Sequence, residues 1–240
     1  MEYDPDNLLD RATGDATLQV HYDQSLRRER ELVARRLPLT GGDVLSVGCG
    51  WHPGRHLFPA PGFRITGTEL EQPVVDSLIE RGDVDAAVRG RAGELSFEDG
   101  SFDVVLYRLV LHHIAYQGTL TPAFSEARRL LRPGGAMIAV EPGAWHPVGA
   151  GLALANLLGL GRAVHGTPDD IPLSPRRLRG EAAAAGLEPE VHAVTYGWRR
   201  LPPPAQRALH RLDPLGSRPR SGVLGHTLML IARAPARRAG

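Results

Sequence analysis

The chain has 240 residues, 42% of them hydrophobic, enough for one domain with a sizeable buried core. All 28 residues in the Lys plus Arg count are arginine, which removes Schiff-base catalysis, pyridoxal phosphate attachment and the P-loop lysine. A formal net charge of +1 with both signs interspersed gives no field for nucleic acid, and the single cysteine, Cys49, supports neither an internal disulfide nor a thiolate-rich metal site.

The opening MEYDPDNLLD is acidic and polar where a signal peptide would be basic and then apolar, so a cytoplasmic setting is expected. Leu18, Tyr22, Leu26, Leu32, Val33 and Leu37 then form a rough helical stripe among Arg and Glu, ended by Pro38 and Gly41-Gly42. Short apolar runs follow and predict strands at Val44 to Val47, Arg64 to Thr68, Ala86 to Val88, Phe102 to Leu106, Ala136 to Val140, Val191 to Val194 and Thr227 to Ala232. Helical patterns lie between them at Pro73 to Glu80, Pro122 to Leu131 and Pro175 to Ala185. Strands separated by helices need crossovers and build a parallel sheet with helices on both faces. The last two strands lack an intervening helix, so an antiparallel pair joined by a long Pro- and Arg-rich loop, Tyr196 to Gly225, is predicted.

The expected fold is therefore a single doubly wound α/β domain with a seven-stranded, mostly parallel sheet and an antiparallel last strand. Residues 1–42 form its N-terminal helical region or lid, 43–141 a cofactor-binding half, and 175–240 a substrate-side half. Between them, 142–174 is an insertion that is either a core-packed helix or a lid over an apolar pocket. Its greasy stretch, Val148 to Gly161, is short of the ~20 residues that span a bilayer, so no membrane span is expected.

Chemistry concentrates where strand one ends, in VLSVGCG. Gly48 and Gly50 leave backbone bare for close approach by a cofactor, and Glu69 closes the next strand, where a carboxylate accepts hydrogen bonds from a ribose diol. A dinucleotide fingerprint would need glycine at 53, where Pro53 stands, so NAD-dependent redox chemistry is disfavoured.

The successive segments VLSVGCG, ITGTELE, GELSFEDGSFDVVLYRLVLHHI and EARRLLRPGGAMIAVEP resemble the motifs of class I S-adenosylmethionine-dependent methyltransferases, in the subgroup that alkylates small molecules. The resemblance covers about Asp43 to Pro142. It implies S-adenosylmethionine as cofactor, with Gly48, Cys49 and Gly50 under its methionine part, Glu69 on the ribose and Leu70 beside the adenine. It further implies Gly93, Glu94 and Leu95 as the loop over the adenine edge, and Arg108 to Val110 lining the opening beside the sulfonium. Three positions depart from the family: Ser46 replaces an acidic residue, His52 holds a glycine's place unless Trp51-His52 is an insertion and Gly54 takes that role, and Arg91 stands where an Asp meets the adenine amino group.

For an oxygen acceptor the protein must position the nucleophile and remove a proton. His112, His113 and Glu141 are expected at the same edge of the sheet, with His112 as base and Glu141 holding it, or with the histidine pair serving packing alone. No metal is expected, because His112, His113, Glu141, His146, His165, Asp169 and Asp170 are related only by loop spacing. Trp51, Tyr107, Tyr116, Trp145, Tyr196 and Trp198 are candidate pocket walls, and Tyr22 is a candidate lid residue. The expected activity is methyl transfer to a small, fairly apolar metabolite, oxygen slightly ahead of carbon or nitrogen. The alternative is a protein of the same fold that does not transfer methyl, a ring-forming enzyme or a partner subunit.

Overall fold

The structure is a computed structural model, described for residues 16–50, 52–160, 171–218 and 222–236. Seven strands form one sheet: β1 (Gly42–Val47), β2 (Phe63–Glu69), β3 (Ala86–Arg89), β4 (Phe102–Arg108), β5 (Leu131–Pro142), β6 (Glu188–Thr195) and β7 (Thr227–Arg233). Their order is β3-β2-β1-β4-β5-β7-β6, with only β7 running antiparallel to its neighbours.

The central strands are apolar on both sides because both faces are covered. Val44 packs with one cluster, which includes Ile65, Leu106, Ile138 and Met229; Leu45, the next residue, packs with the other, beside Tyr107, Met137 and Leu230. Helix α1 (Ala16–Arg36) adds Leu32 and Val33 to the first cluster. Helices α4 (Thr121–Leu130) and α6 (Pro175–Ala184) add Phe124, Leu130 and Leu178 to the second.

Further elements are α2 (Gln72–Glu80), α3 (Leu111–Gln117), α5 (Pro147–Leu157) and α7 (Pro203–His210). Two of these correct the sequence reading. Tyr196 to Gly225 is not a plain loop, since it holds α7 and two short 3-10 turns, Asp213–Ser217 and Gly222–Leu224. Proline at the first turn of α7 is compatible with a helix start, and Gln206 and His210 are buried, so tertiary packing overrides the loop-like composition. The segment after β4 forms the short helix α3, whose pattern was too brief to declare itself. Strand β5 also begins earlier than predicted, at Leu131, and runs through Gly135, where a Cβ would lie 2.8 Å from the Asp103 carbonyl oxygen.

Candidate active site

The order of the sheet reverses between β1 and β4, and the crevice outside the carboxyl ends at such a point is where open α/β sheets bind ligands. Gly48 and Gly50 line it in the left-handed region, at φ of 59° and 47°. A Cβ on Gly48 would lie 2.5 Å from the Val110 side chain, so only glycine lets the β1 loop close against the β4 loop. The loop is fastened to β2 by Gly48 N–H donating to the Thr68 carbonyl at 2.8 Å.

Glu69 ends β2 half-buried at this loop. One carboxylate oxygen accepts the Gly50 N–H at 2.6 Å and the other the Leu70 N–H at 3.3 Å, leaving lone pairs on both. Burial raises its pKa against the opposing pull of those two donors. A carboxylate with spare acceptor capacity beside bare main chain fits the diol of an adenosine group. Leu70, half-exposed, stands next to it. Cys49 is buried behind the loop, its thiol pushed up to about 12 by burial and the Glu69 charge, which makes it inert as a nucleophile.

The other sequence-predicted residues divide. Glu94 is exposed, in a turn where its N–H meets the Arg91 carbonyl, and Arg91 is exposed too. Leu95 turns into the core, its N–H held by Glu126 at 2.7 Å, and Gly93 packs against Pro122. Ser46 is fully buried. His52 is half-buried beside Arg108, and burial, then the Arg108 and His56 charges, pull its imidazole down to about 4.

Arg108 is buried and makes a bidentate pair with Glu29 of α1, Nε to Oε2 and Nη2 to Oε1, both 3.0 Å. His56 donates to the same Oε2 at 2.9 Å. Burial pushes the Glu29 carboxyl up, but the Arg108 charge and the His56 and Arg108 hydrogen bonds outweigh it and hold the pKa at about 2. Sequence reasoning missed Glu29. The available signal was its place three residues after Leu26 and four before Val33, a charge inside the apolar stripe.

The structure brings Glu141, near the end of β5, against His112, in the first turn of α3. Glu141 is fully buried and accepts the backbone N–H groups of Val110 at 3.1 Å, Leu111 at 2.8 Å and His112 at 3.4 Å, capping α3. It also accepts from His112 Nδ1 at 2.7 Å. That bond fixes the tautomer and makes Nε2 the basic nitrogen of the ring. His113 is half-buried, its ring 4.0 Å from that of His112. Leu109, between strand and helix, is the one described non-glycine residue at positive φ, 59°, a local cost of ~1 kcal/mol or more that the surrounding bonds to Val140 and Glu141 sustain.

A second group of imidazoles, also missed, lies along the same edge. The His146 and His226 rings are 5.2 Å apart, His226 and His21 5.9 Å, His21 and His210 6.3 Å. His210 Nδ1 is 3.1 Å from the buried Asp213 carboxylate, which also accepts from Gln24 and from the Tyr196 N–H. Burial, then His210 and Arg199, lower His21 to about 4; burial, then His21 and His146, lower His226 to about 3. A base with a depressed folded pKa refuses a proton that the unfolded chain accepts, so stability is complete above about pH 6.5 and falls as pH drops toward 4. The expected loss is on the order of 3 kcal/mol per imidazole by pH 4, read from urea midpoints across that range, and a His21→Phe variant should show a shallower decline. Among the described residues no group of three or more His, Cys, Asp or Glu is arranged to hold a metal ion. Trp51, His165, Asp169 and Asp170 lie outside the described residues.

Residues 45–139 match a family profile described as Methyltransferase domain. That match places a methyltransferase domain in the first two thirds of the chain. The chain is 32% identical over 145 residues to a probable S-adenosylmethionine-dependent methyltransferase of Mycolicibacterium smegmatis, covering 58% of this chain and 55% of that one. It is 31% identical over 144 residues to the 27-O-demethylrifamycin SV methyltransferase of Amycolatopsis mediterranei, covering 54% and 52%. The chain thus spans about half the length of the curated relatives it matches. Among solved structures, a methyltransferase from Methanosarcina mazei shares the fold at TM-score 0.61 and 14% identity, over 86% of this chain and 98% of that one. The [4+2]-cyclase SpnF shares it at 0.57 and 23%, over 87% and 80%. No helix among the described residues is long and apolar enough to cross a membrane.

Proposed function

We propose that this chain transfers a methyl group from S-adenosylmethionine to an oxygen of a small, fairly apolar metabolite in the cytoplasm. The observation that carries the reading is the Glu69 carboxylate at the end of β2, half-buried, bonded to Gly50 and holding spare acceptor capacity beside the bare glycine loop. Gly48, Gly50, Glu69 and Leu70 would hold the cofactor, which supplies a methyl carbon already activated by a sulfonium. His112 Nε2 takes the proton from the acceptor hydroxyl, and Glu141 keeps the imidazole in the tautomer that can do so.

The apolar character of the acceptor is supported by α5 and the residues after it. Leu154, Leu157, Leu158 and Leu160 are all exposed, which suits a lid over a greasy ligand better than a core helix. An oxygen acceptor is favoured by the histidine and carboxylate pair and by the similarity to the rifamycin O-methyltransferase.

Incubating the protein and S-adenosylmethionine with metabolite extracts, and comparing products by mass spectrometry, should reveal compounds heavier by one methylene unit. His112→Gln is expected to lower the turnover of such an acceptor by about 10²- to 10⁴-fold, with cofactor affinity unchanged. Cofactor binding without any methylated product, or with a rearranged acceptor of unchanged mass, would instead support the non-transferring reading that the Ser46, His52 and Arg91 departures motivate.

A further inference from the structure

The methyltransferase match begins at residue 45, yet the buried cation at the neck of the cleft is matched by a carboxylate from outside it. Val47 pairs with Tyr107 in the β1 to β4 register, so Arg108 follows at the level of Gly48, the point at which the resemblance places the methionine part of the cofactor. Arg108 is permanently charged, and its side chain is only 5% exposed, so solvent screens it poorly.

A cofactor carrying a sulfonium has one more positive charge than its demethylated product. An uncompensated guanidinium at this place would select against the reactive form and for the spent one. Ser46, where the family keeps an acidic group, is uncharged and fully buried, so it offers no remedy. His52, beside Arg108, adds no charge near neutral pH, since burial and the neighbouring charges hold its imidazole far below its ordinary pKa.

We infer that Glu29 neutralises Arg108 so that the cleft accepts a cationic cofactor, which makes the N-terminal helix a determinant of the preference for S-adenosylmethionine over S-adenosylhomocysteine. The inference rests on the cofactor reading above and assigns Glu29 a charge-balancing role in binding. Both Glu29 oxygens are committed to the Arg108 fork and one also to His56, a geometry that fixes the carboxylate without need of a ligand. Like unit charges brought within about 10 Å at an effective dielectric of ~20 alter a binding constant by roughly tenfold or more, enough to decide which form of the cofactor is held.

Calorimetric titration of the full chain with each compound separates the possibilities. Glu29→Gln should lower affinity for S-adenosylmethionine about tenfold relative to S-adenosylhomocysteine. The double variant Glu29→Gln with Arg108→Met should return the ratio to near its wild-type value. An unchanged ratio in the single variant, an equal loss for both compounds, or a double variant that keeps the single variant's ratio would overturn the inference. If Glu29→Gln does not fold, Arg108→Met alone must bind S-adenosylmethionine, relative to its product, at least as well as the wild type does; a lower ratio overturns the inference. A wild-type chain that is folded by circular dichroism and binds neither compound refutes the cofactor reading itself, a failure distinct from any change in ratio.

Discussion

Glu69→Ala is expected to weaken binding of S-adenosylmethionine and S-adenosylhomocysteine alike, by about 100-fold, with little change in melting temperature. The two hydroxyls of a ribose would donate to one carboxylate, and each hydrogen bond to a charged group contributes roughly 1.5–3 kcal/mol. The fold loses little by the change, because Glu69 is half-exposed to the cleft and burial already opposes its charge. Equal loss for both compounds separates this residue from Glu29, whose removal should discriminate between them. Its raised pKa carries a pH signature as well. Affinity should hold above the carboxyl's folded pKa and decline as pH falls through it, starting at a higher pH than an ordinary carboxylate would give. A Glu69→Ala variant that binds both compounds as the wild type does would show that the diol is held elsewhere.

Glu141→Ala should damage stability and chemistry together. The carboxylate is fully buried and accepts the N–H groups of Val110, Leu111 and His112 as well as the His112 ring. Alanine strands these donors, and each buried unsatisfied group costs about 1–3 kcal/mol. A total of ~3–5 kcal/mol would lower the melting temperature by roughly 6–20 °C in a chain of this size. Glu141→Gln keeps one acceptor oxygen but turns an amide donor toward other donors, so its loss should fall between. For either variant turnover should drop further than folded fraction alone explains, because the His112 imidazole is no longer held in one tautomer. Normal turnover by the residual folded protein would leave Glu141 a cap of α3 and nothing more.

The sheet was legible because each central strand is buried on both faces and so reads as an unbroken apolar run; β1 and β4 need no partner to declare themselves. The cofactor loop was legible for a different reason, since glycine and an acid at strand ends leave a local mark. Glu29 was harder to see because its partner, Arg108, is 79 positions away and a lone acid in a helical stripe looks like an imperfect amphipathic pattern. Helix α7 was hidden by its two prolines and the one that precedes them, whose loop-like composition is overruled when Gln206 and His210 are buried. The imidazole row was invisible for the most general reason. His21, His146, His210 and His226 come from four distant parts of the chain and meet only through the folding of α1 and the return of β7. Leu95 shows the converse limit: a motif named the turn, but only packing tells that its side chain faces inward.

Helix α1 has one consequence for anyone cutting or grafting this chain. The stretch that matches the family profile supplies the floor of the cleft, whereas Glu29, His21, His210 and Asp213 all come from sequence on either side of it. A minimal fragment trimmed to the shared motif would keep a recognisable signature and leave Arg108 without its buried partner, and a chimera that borrows the chemistry must carry both flanks along with it.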